Sequence, residues 1–176
     1  MTVQTPTARR PEPGEYDPFY ADYVGCVPDG DVLATLAEQR DEMLALLAGL
    51  SRDVLDHRYA AEKWSVCEVV GHLMDAERVF AYRALRFARA DQTPLLGMDQ
   101  EVFIAGVDFG RRPGESLGSE YGLVRSANLA LFESFDETVL DRTGVASDCP
   151  FTVRSLLWVI AGHERHHLDV LRERYL

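Results

Sequence analysis

Two histidines four residues apart give the clearest chemical signal in the sequence. His163 and His167 lie in the segment GHERHH, and a helix places residues four apart on one face. Leu156 and Ile160 share that face, so both imidazoles are expected to point toward the core. Buried ring nitrogens need partners, and this spacing also occurs in zinc sites. The pair predicts two ligands of a metal ion, although a hydrogen-bonded core histidine gives the same weak motif.

A third histidine is predicted to join this pair from another helix. His72 borders the apolar positions Val69, Leu73 and Ala76 of an earlier helical segment, so its ring can reach the interior. Three neutral imidazoles would leave one coordination position to water, as in catalytic metal sites. Such ligands suit zinc, nickel, copper and iron about equally. We expect one divalent transition metal ion, with zinc or nickel favoured.

Two further titratable residues are candidates to contact the ligand side chains rather than the ion itself. Glu77 lies about 140° around the helix from His72, which makes it a poor ligand. An ion pair with Arg78 or Arg83 is a better interpretation of Glu77 than general-base catalysis. His166 is one position away from the face that carries the ligand pair, and a surface position is favoured for it.

The letters His163, Glu164 and His167 also satisfy the HExxH pattern of zinc proteases. Glu164 faces about 100° away from His163 on a helix. Zinc proteases also need an active-site cleft and strands that the pattern of this chain does not predict. We therefore expect no protease, while hydrolysis of a small molecule stays open.

Four amphipathic helices are predicted to position these side chains. Apolar residues recur at steps of three and four residues along 31–50, 65–90, 115–138 and 152–175. Ser65 and Glu68 form an S-x-x-E capping box at the start of the second helix, and Thr152 is a candidate N-cap of the fourth. No alternating apolar and polar run indicates a strand, so the predicted fold class is all-α, a four-helix bundle.

Two other segments flank or connect the predicted helices. Glycines and prolines in 91–113 predict an irregular crossover with one helical turn at 99–105. So long a link between the second and third helices permits a topology other than up-down-up-down. Prolines and the aromatic segment YDPFYADYV predict a packed N-terminal arm over 1–30. The remaining residues, 31–176, are predicted to form a single bundle domain.

Composition and charge narrow the class of partner. The 176 residues are 47% hydrophobic and 27% charged, as in one globular domain. A net charge of −11 disfavours nucleic acid and anionic membranes as partners. The three cysteines form no CxxC motif, and no apolar run is long enough for a signal peptide or a membrane span. We expect a soluble, cytoplasmic protein that acts on a small molecule.

Three segments of the chain resemble the DinB-like (DinB/YfiT) superfamily of metalloproteins. They are EKWSVCEVVGHLMDAERVFAYRALRFARAD at 62–91, TVRSLLWVIAGHERHHLDVLRERYL at 152–176, and the arm segment YDPFYADYV. The combination of KWS followed by GH on one helix with GHxxHH near the end of the chain is specific. The resemblance covers most of the chain.

The resemblance implies an up-down-down-up four-helix bundle that holds one divalent ion through His72, His163 and His167. Relatives include S-transferases and isomerases that use the thiols bacillithiol or mycothiol, and many proteins with no assigned activity. It therefore implies a metal-dependent enzyme that performs thiol S-transfer or hydrolysis, with a low-molecular-weight thiol as a candidate cofactor. Relatives are often dimers, which implies a homodimer. The alternative is a non-catalytic metal-binding or dimeric interaction module.

Overall fold

Four long helices build the body of the protein, and shorter elements connect them. The structure is a computed structural model and describes residues 8–176. Within this range the helices are α1 (Ala21–Cys26), α2 (Val32–Ala48), α3 (Arg52–Leu55), α4 (Val66–Ala88), α5 (Gln100–Ala105), α6 (Gly114–Phe132), α7 (Glu137–Leu140) and α8 (Val153–Arg174). Two strands, β1 (Thr143–Ala146) and β2 (Cys149–Thr152), precede α8. The predicted four-helix bundle is confirmed.

The first and the last of the four long helices, α2 and α8, run in the same direction. Gln39 on α2 donates a hydrogen bond to the carbonyl of Ala161 on α8 (2.8 Å). Further along both helices, Glu42 pairs with Arg172. Since the positions of both contacts advance together, the two helices are parallel.

The two middle helices, α4 and α6, run opposite to this pair. The first turns of α4 lie in one core cluster with Leu171, near the end of α8. The last turns of α4 lie in the other cluster with Leu156, near the start of α8. Leu117 at the start of α6 belongs to the same core cluster as the first turns of α4, and Phe132 at the end of α6 belongs to the same cluster as the last turns of α4. The two middle helices are therefore parallel to each other. The order is therefore up-down-down-up, and the long crossover connects the two parallel helices α4 and α6.

The start of α4 is defined by a capping box that positions His72 two turns later. The hydroxyl of Ser65 accepts from the backbone NH of Glu68 (3.3 Å), and the Glu68 carboxylate accepts from the backbone NH of Ser65 (2.6 Å). These bonds satisfy donors that a helix start leaves free. The predicted start of this helix is confirmed.

Replacing Ser65 with alanine should lower the free energy of unfolding by about 1 kcal/mol, because the cap to Glu68 is lost. Urea denaturation would measure this change. Ser119→Ala is the control, since Ser119 is exposed in the interior of α6 and alanine favours a helix there. A loss no larger for Ser65→Ala than for the control would contradict the role of the cap.

A β-hairpin between α7 and α8 was not predicted. Its strands pair antiparallel, with Ala146 opposite Cys149. Ser147 and Asp148 form the turn with φ values of 53° and 60°, the left-handed pair of a two-residue hairpin turn. Four-residue strands are too short to show an alternating pattern, and Pro150 further obscures it. The expectation that the chain contains no strand is therefore wrong for this segment.

The third predicted helix also ends earlier than expected. It was predicted over 115–138, but α6 ends at Phe132. Asp136 then starts α7 by accepting a hydrogen bond from the backbone NH of Val139 (2.8 Å). An aspartate that caps a new helix competes with continuation of the old one, which explains the early end.

Residues 8–30 lie along α8 from its start to its middle. Val24 on α1 is buried, and the indole of Trp158 donates to the carbonyl of Ala8 (3.1 Å). The predicted arm begins with residues 1–7, which lie outside the described part of the chain. Among the helices of residues 8–176, none has the length and hydropathy needed to cross a membrane.

Candidate metal centre

Two antiparallel helices bring the three predicted histidines together. His72 lies on α4, and His163 and His167 lie one turn apart on α8. Each imidazole offers one nitrogen atom, and these three atoms all lie within 4.8 Å of one another. We call these three residues the histidine cluster.

The histidine cluster is enclosed by protein and uncharged at neutral pH. His72 is 3% and His163 is 9% exposed, and His167 is half-buried. Burial lowers the pKa of His72 to about 4 and the pKa of His167 to about 3. Burial, together with the neighbouring imidazoles, also holds the pKa of His163 well below its usual value. All three rings therefore offer the neutral form that binds metal ions.

The donor set fits a transition metal ion with nitrogen ligands. Nε2 of His72 lies 3.0 Å from Nε2 of His163. Zinc–nitrogen bonds of about 2.0–2.1 Å in a tetrahedral site place neighbouring nitrogens roughly 3.3 Å apart. Only a small adjustment of the two rings separates these distances. Three imidazoles also match the ligand count of sites that keep one position open.

A glycine precedes the histidine on each helix and gives room to another segment. At Gly71 a Cβ atom would lie 2.4 Å from the ring of Phe109, and at Gly162 it would lie 1.9 Å from the carbonyl oxygen of Tyr23. The crossover therefore packs on α4, and α1 packs through its backbone on α8. In both Gly-His pairs of the sequence, the glycine allows a neighbouring segment to approach the helix closely, and the histidine that follows is a candidate metal ligand.

Aromatic rings surround the histidine cluster. The ring centroid of Trp64 lies 4.9 Å from that of His72. The centroids of Tyr23 and Phe80 lie 5.4 Å and 6.2 Å from that of His163. These contacts restrict the orientation of the imidazoles.

Two cavities open beside the histidine cluster. The first, which we call the α4 cavity, has a volume of about 280 Å³ and is lined by His72, His163 and Arg83, among others. The second, of about 240 Å³, is lined by His167. Gln100 at the start of α5 lines both cavities. A hollow of about 720 Å³ between α2, α3 and α6 has no histidine in its wall.

The structure corrects the partner expected for Glu77. Its carboxylate accepts from Nε and Nη2 of Arg125 at 2.8 Å and 2.9 Å, and pairs with neither Arg78 nor Arg83. Arg78 pairs with Glu120 on α6 instead. Both Glu77 and Arg125 are buried, so Glu77 is held in an ion pair of the bundle interior.

His166 and Glu164 lie to either side of the face that carries His163 and His167. His166 is exposed, and its ring centroid lies 5.2 Å from that of His167 and 5.5 Å from that of Tyr23. Glu164 is 2% exposed. Its pKa is raised by burial, and it accepts hydrogen bonds in the bundle interior. The HExxH letters thus place the glutamate away from the histidine cluster.

Arg125, which the sequence analysis missed, connects all four long helices. From α6 it pairs with Glu77 on α4 and with Glu164 on α8, and its Nη1 donates to the carbonyl of Leu36 on α2 (2.8 Å). The hydroxyl of Tyr121 also donates to Glu164. We call Arg125, Glu77, Glu164 and Tyr121 the Arg125 network. It lies next to the histidine cluster along α4 and α8 and fixes their relative position.

An up-down-down-up bundle with three largely buried histidines on two antiparallel helices defines a class of candidate metalloproteins. The sequence profile of the DinB superfamily matches residues 35–171, and the chain belongs to this superfamily. The resemblance found in the sequence is thereby confirmed.

The fold is similar to that of solved structures. One of them is YfiT from Bacillus subtilis, described as a probable metal-dependent hydrolase with an unusual four-helix bundle topology. The TM-score is 0.71 at 18% sequence identity, over 80% of this chain and 84% of that chain. No curated protein matches the chain.

Proposed function

We propose that His72, His163 and His167 bind one divalent transition metal ion, zinc or nickel, and that the protein is a metal-dependent enzyme. The observation that carries this proposal is the convergence of three neutral, largely buried imidazole nitrogens within 4.8 Å. Nε2 of His72 and Nε2 of His163 lie 3.0 Å apart, where two neutral imidazoles can share one hydrogen at most, whereas a metal ion would bind all three rings at once.

The surrounding residues would hold this site in place. Trp64, Tyr23 and Phe80 pack around the imidazoles and restrict their orientation. When bound, a divalent ion acts as a Lewis acid that lowers the pKa of a water or a thiol. The reaction classes are thiol S-transfer, with a low-molecular-weight thiol as cofactor, and hydrolysis, the activity named for YfiT.

The nature of the partners follows from the cavities and the surface. The two cavities beside the histidine cluster are small, which favours a small-molecule substrate. Leu96 and Val102 of the crossover are 92% and 64% exposed, which favours a homodimer that covers them.

The three free cysteines favour a reducing compartment such as the cytoplasm. We also propose that residues 31–176 form one domain, against which the arm packs.

Elemental mass spectrometry on protein without a histidine tag tests the proposed metal site. After reconstitution with zinc or nickel, the wild type should hold near-stoichiometric metal, and His72→Ala and His163→Ala should hold little. Removal of one of three ligands leaves too few nitrogens for a stable site. The control is His57→Ala, because His57 is exposed and lies outside the histidine cluster.

Absence of metal from the reconstituted wild type would refute the proposal and favour the alternative of an interaction module. Equal metal content in His57→Ala and His163→Ala would place the ion elsewhere. Circular dichroism of each variant would verify that the helices are intact, so that a loss of metal is not a loss of fold.

A further inference from the structure

Arg83 places a buried positive charge in the wall of the α4 cavity. It is 3% exposed, and Nη2 donates to the hydroxyl of Ser147 (2.7 Å) and to the carbonyl of Leu96 (3.3 Å). Both acceptors are neutral. Its Nε atom is buried and has no hydrogen-bond partner among residues 8–176. The guanidinium therefore keeps one unused donor, and no carboxylate forms an ion pair with it among residues 8–176.

The other two buried arginines differ from Arg83 in having carboxylate partners, although Nε of Arg154 is also without a partner among residues 8–176. Arg125 pairs with two carboxylates inside the bundle, and Arg154 pairs with Glu15 and Asp141. Burial lowers the pKa of Arg83, and the groups that oppose this shift are Tyr20, partly through a hydrogen bond, and Cys149, with no carboxylate among them. A buried cation without an anion is expensive, and such a cost is typical of functional positions.

Arg83 lies on the same face of α4 as the histidine cluster. Counting from His72, the residues four, eight and eleven positions later are Ala76, Phe80 and Arg83, and all four line the α4 cavity. Eleven residues correspond to about three turns and a rise of roughly 16 Å between Cα atoms. Long side chains on a helix lean toward its N-terminus, so the guanidinium reaches back toward His72.

The rest of the cavity wall is mostly aromatic or aliphatic. Tyr20, Tyr23 and Phe80 line it, and the guanidinium carbon of Arg83 lies 5.4 Å from the ring centroid of Phe80. Arg83 is the only arginine or lysine in this wall. The carboxylate of Asp17 on the neighbouring turn is used elsewhere, because it accepts from the backbone NH of Phe19 (2.9 Å).

We propose that Arg83 binds the carboxylate of an aromatic or apolar substrate, whose other end reaches the histidine cluster. This inference rests on the proposed function, because the histidine cluster supplies the reacting end. A guanidinium binds a carboxylate through charge-assisted hydrogen bonds, often two in parallel. One positive charge balances a singly charged acid, whereas a phosphate dianion would leave charge uncompensated in the cavity.

Matched pairs of ligands test the role of Arg83. Metal-loaded wild type would be titrated calorimetrically with 3-phenylpropanoate, with its amide 3-phenylpropanamide, and with 2-phenylethyl phosphate. The acid should bind at least roughly tenfold more tightly than the amide, as expected for a charge-assisted hydrogen bond. Arg83→Met and Arg83→Gln should remove this preference, and Arg83→Lys should keep part of it.

The control is Arg78→Met, which removes an exposed arginine from the same helix and should leave the preference unchanged. Arg83→Met should also be at least as stable as the wild type in urea, since it replaces an unpaired buried charge. A large loss of stability would instead assign Arg83 a structural role.

Metal content measured on the same samples separates this inference from the proposed function. Wild type without metal would refute the metal site itself. Metal-loaded wild type that binds acid and amide equally, or binds neither, would overturn the carboxylate subsite. The subsite would also be refuted if Arg83→Met kept the preference, since the acid would then bind elsewhere, or if the phosphate bound more tightly than the acid.

Discussion

Arg125→Met should lower the free energy of unfolding by about 3–5 kcal/mol, the range for breaking one side of a buried ion pair. Arg125 is 1% exposed, and Glu77 and Glu164 are 4% and 2% exposed. Without the guanidinium, both carboxylates stay buried without a cation. The carbonyl of Leu36 also loses its donor. Urea denaturation at neutral pH would measure the loss.

Two further variants identify charge as the cause. Arg78→Met removes an arginine that is 45% exposed and pairs with Glu120, so it should cost less than about 1 kcal/mol. Adding Glu77→Gln and Glu164→Gln to Arg125→Met removes the two stranded charges and should recover part of the stability. If Arg125→Met is as stable as Arg78→Met, the Arg125 network does not hold the bundle together.

Much of the bundle could be predicted because its helices carry strong local signals. The Ser65–Glu68 capping box marks the start of α4, and Thr152 caps α8 by accepting from the backbone NH of Ser155 (3.0 Å). Between such signals, apolar residues at steps of three and four define the buried faces. The same periodicity placed His163 and His167 on the core side, and in the structure His163 is buried and His167 is half-buried.

The ion pairs of the interior could not be predicted in the same way. Periodicity shows which face a residue occupies, but not which residue on another helix lies opposite. Glu77 was expected to pair with a near neighbour on α4, whereas Arg125 is 48 residues away in sequence. The available signal was the position of Arg125 in the apolar register of α6, four residues after Tyr121 and four before Leu129.

The hairpin and the end of α6 were missed for a related reason. The turn at Ser147 and Asp148 needs left-handed backbone at both residues, and neither is the glycine that usually marks such a turn. The strands are stabilised by contacts from outside, since a Cβ at Gly144 would lie 2.1 Å from the ring of Phe87 on α4. Tertiary packing, rather than the local sequence, therefore determines that this segment forms a hairpin.

Gly162→Ala should lower the free energy of unfolding by about 2–3 kcal/mol, within the range for overpacked cores. The new Cβ atom would lie 1.9 Å from the carbonyl oxygen and 2.3 Å from the carbonyl carbon of Tyr23. Both are backbone atoms, so no rotamer change relieves the clash and α1 must move away from α8. The gain of about 1 kcal/mol from alanine in a helix is too small to offset this.

Hydrogen exchange distinguishes displacement of α1 from a general loss of stability. In Gly162→Ala the amides of Ala21–Cys26 should exchange faster, while those of α4 and α6 change less. The control is Gly122→Ala, where the nearest atoms are side-chain carbons of Leu44 at 3.5 Å. That substitution meets ordinary contacts and should keep or raise the stability. If Gly162→Ala behaves like Gly122→Ala, α1 is not seated on α8 at this glycine, and Tyr23 does not fix the ring of His163.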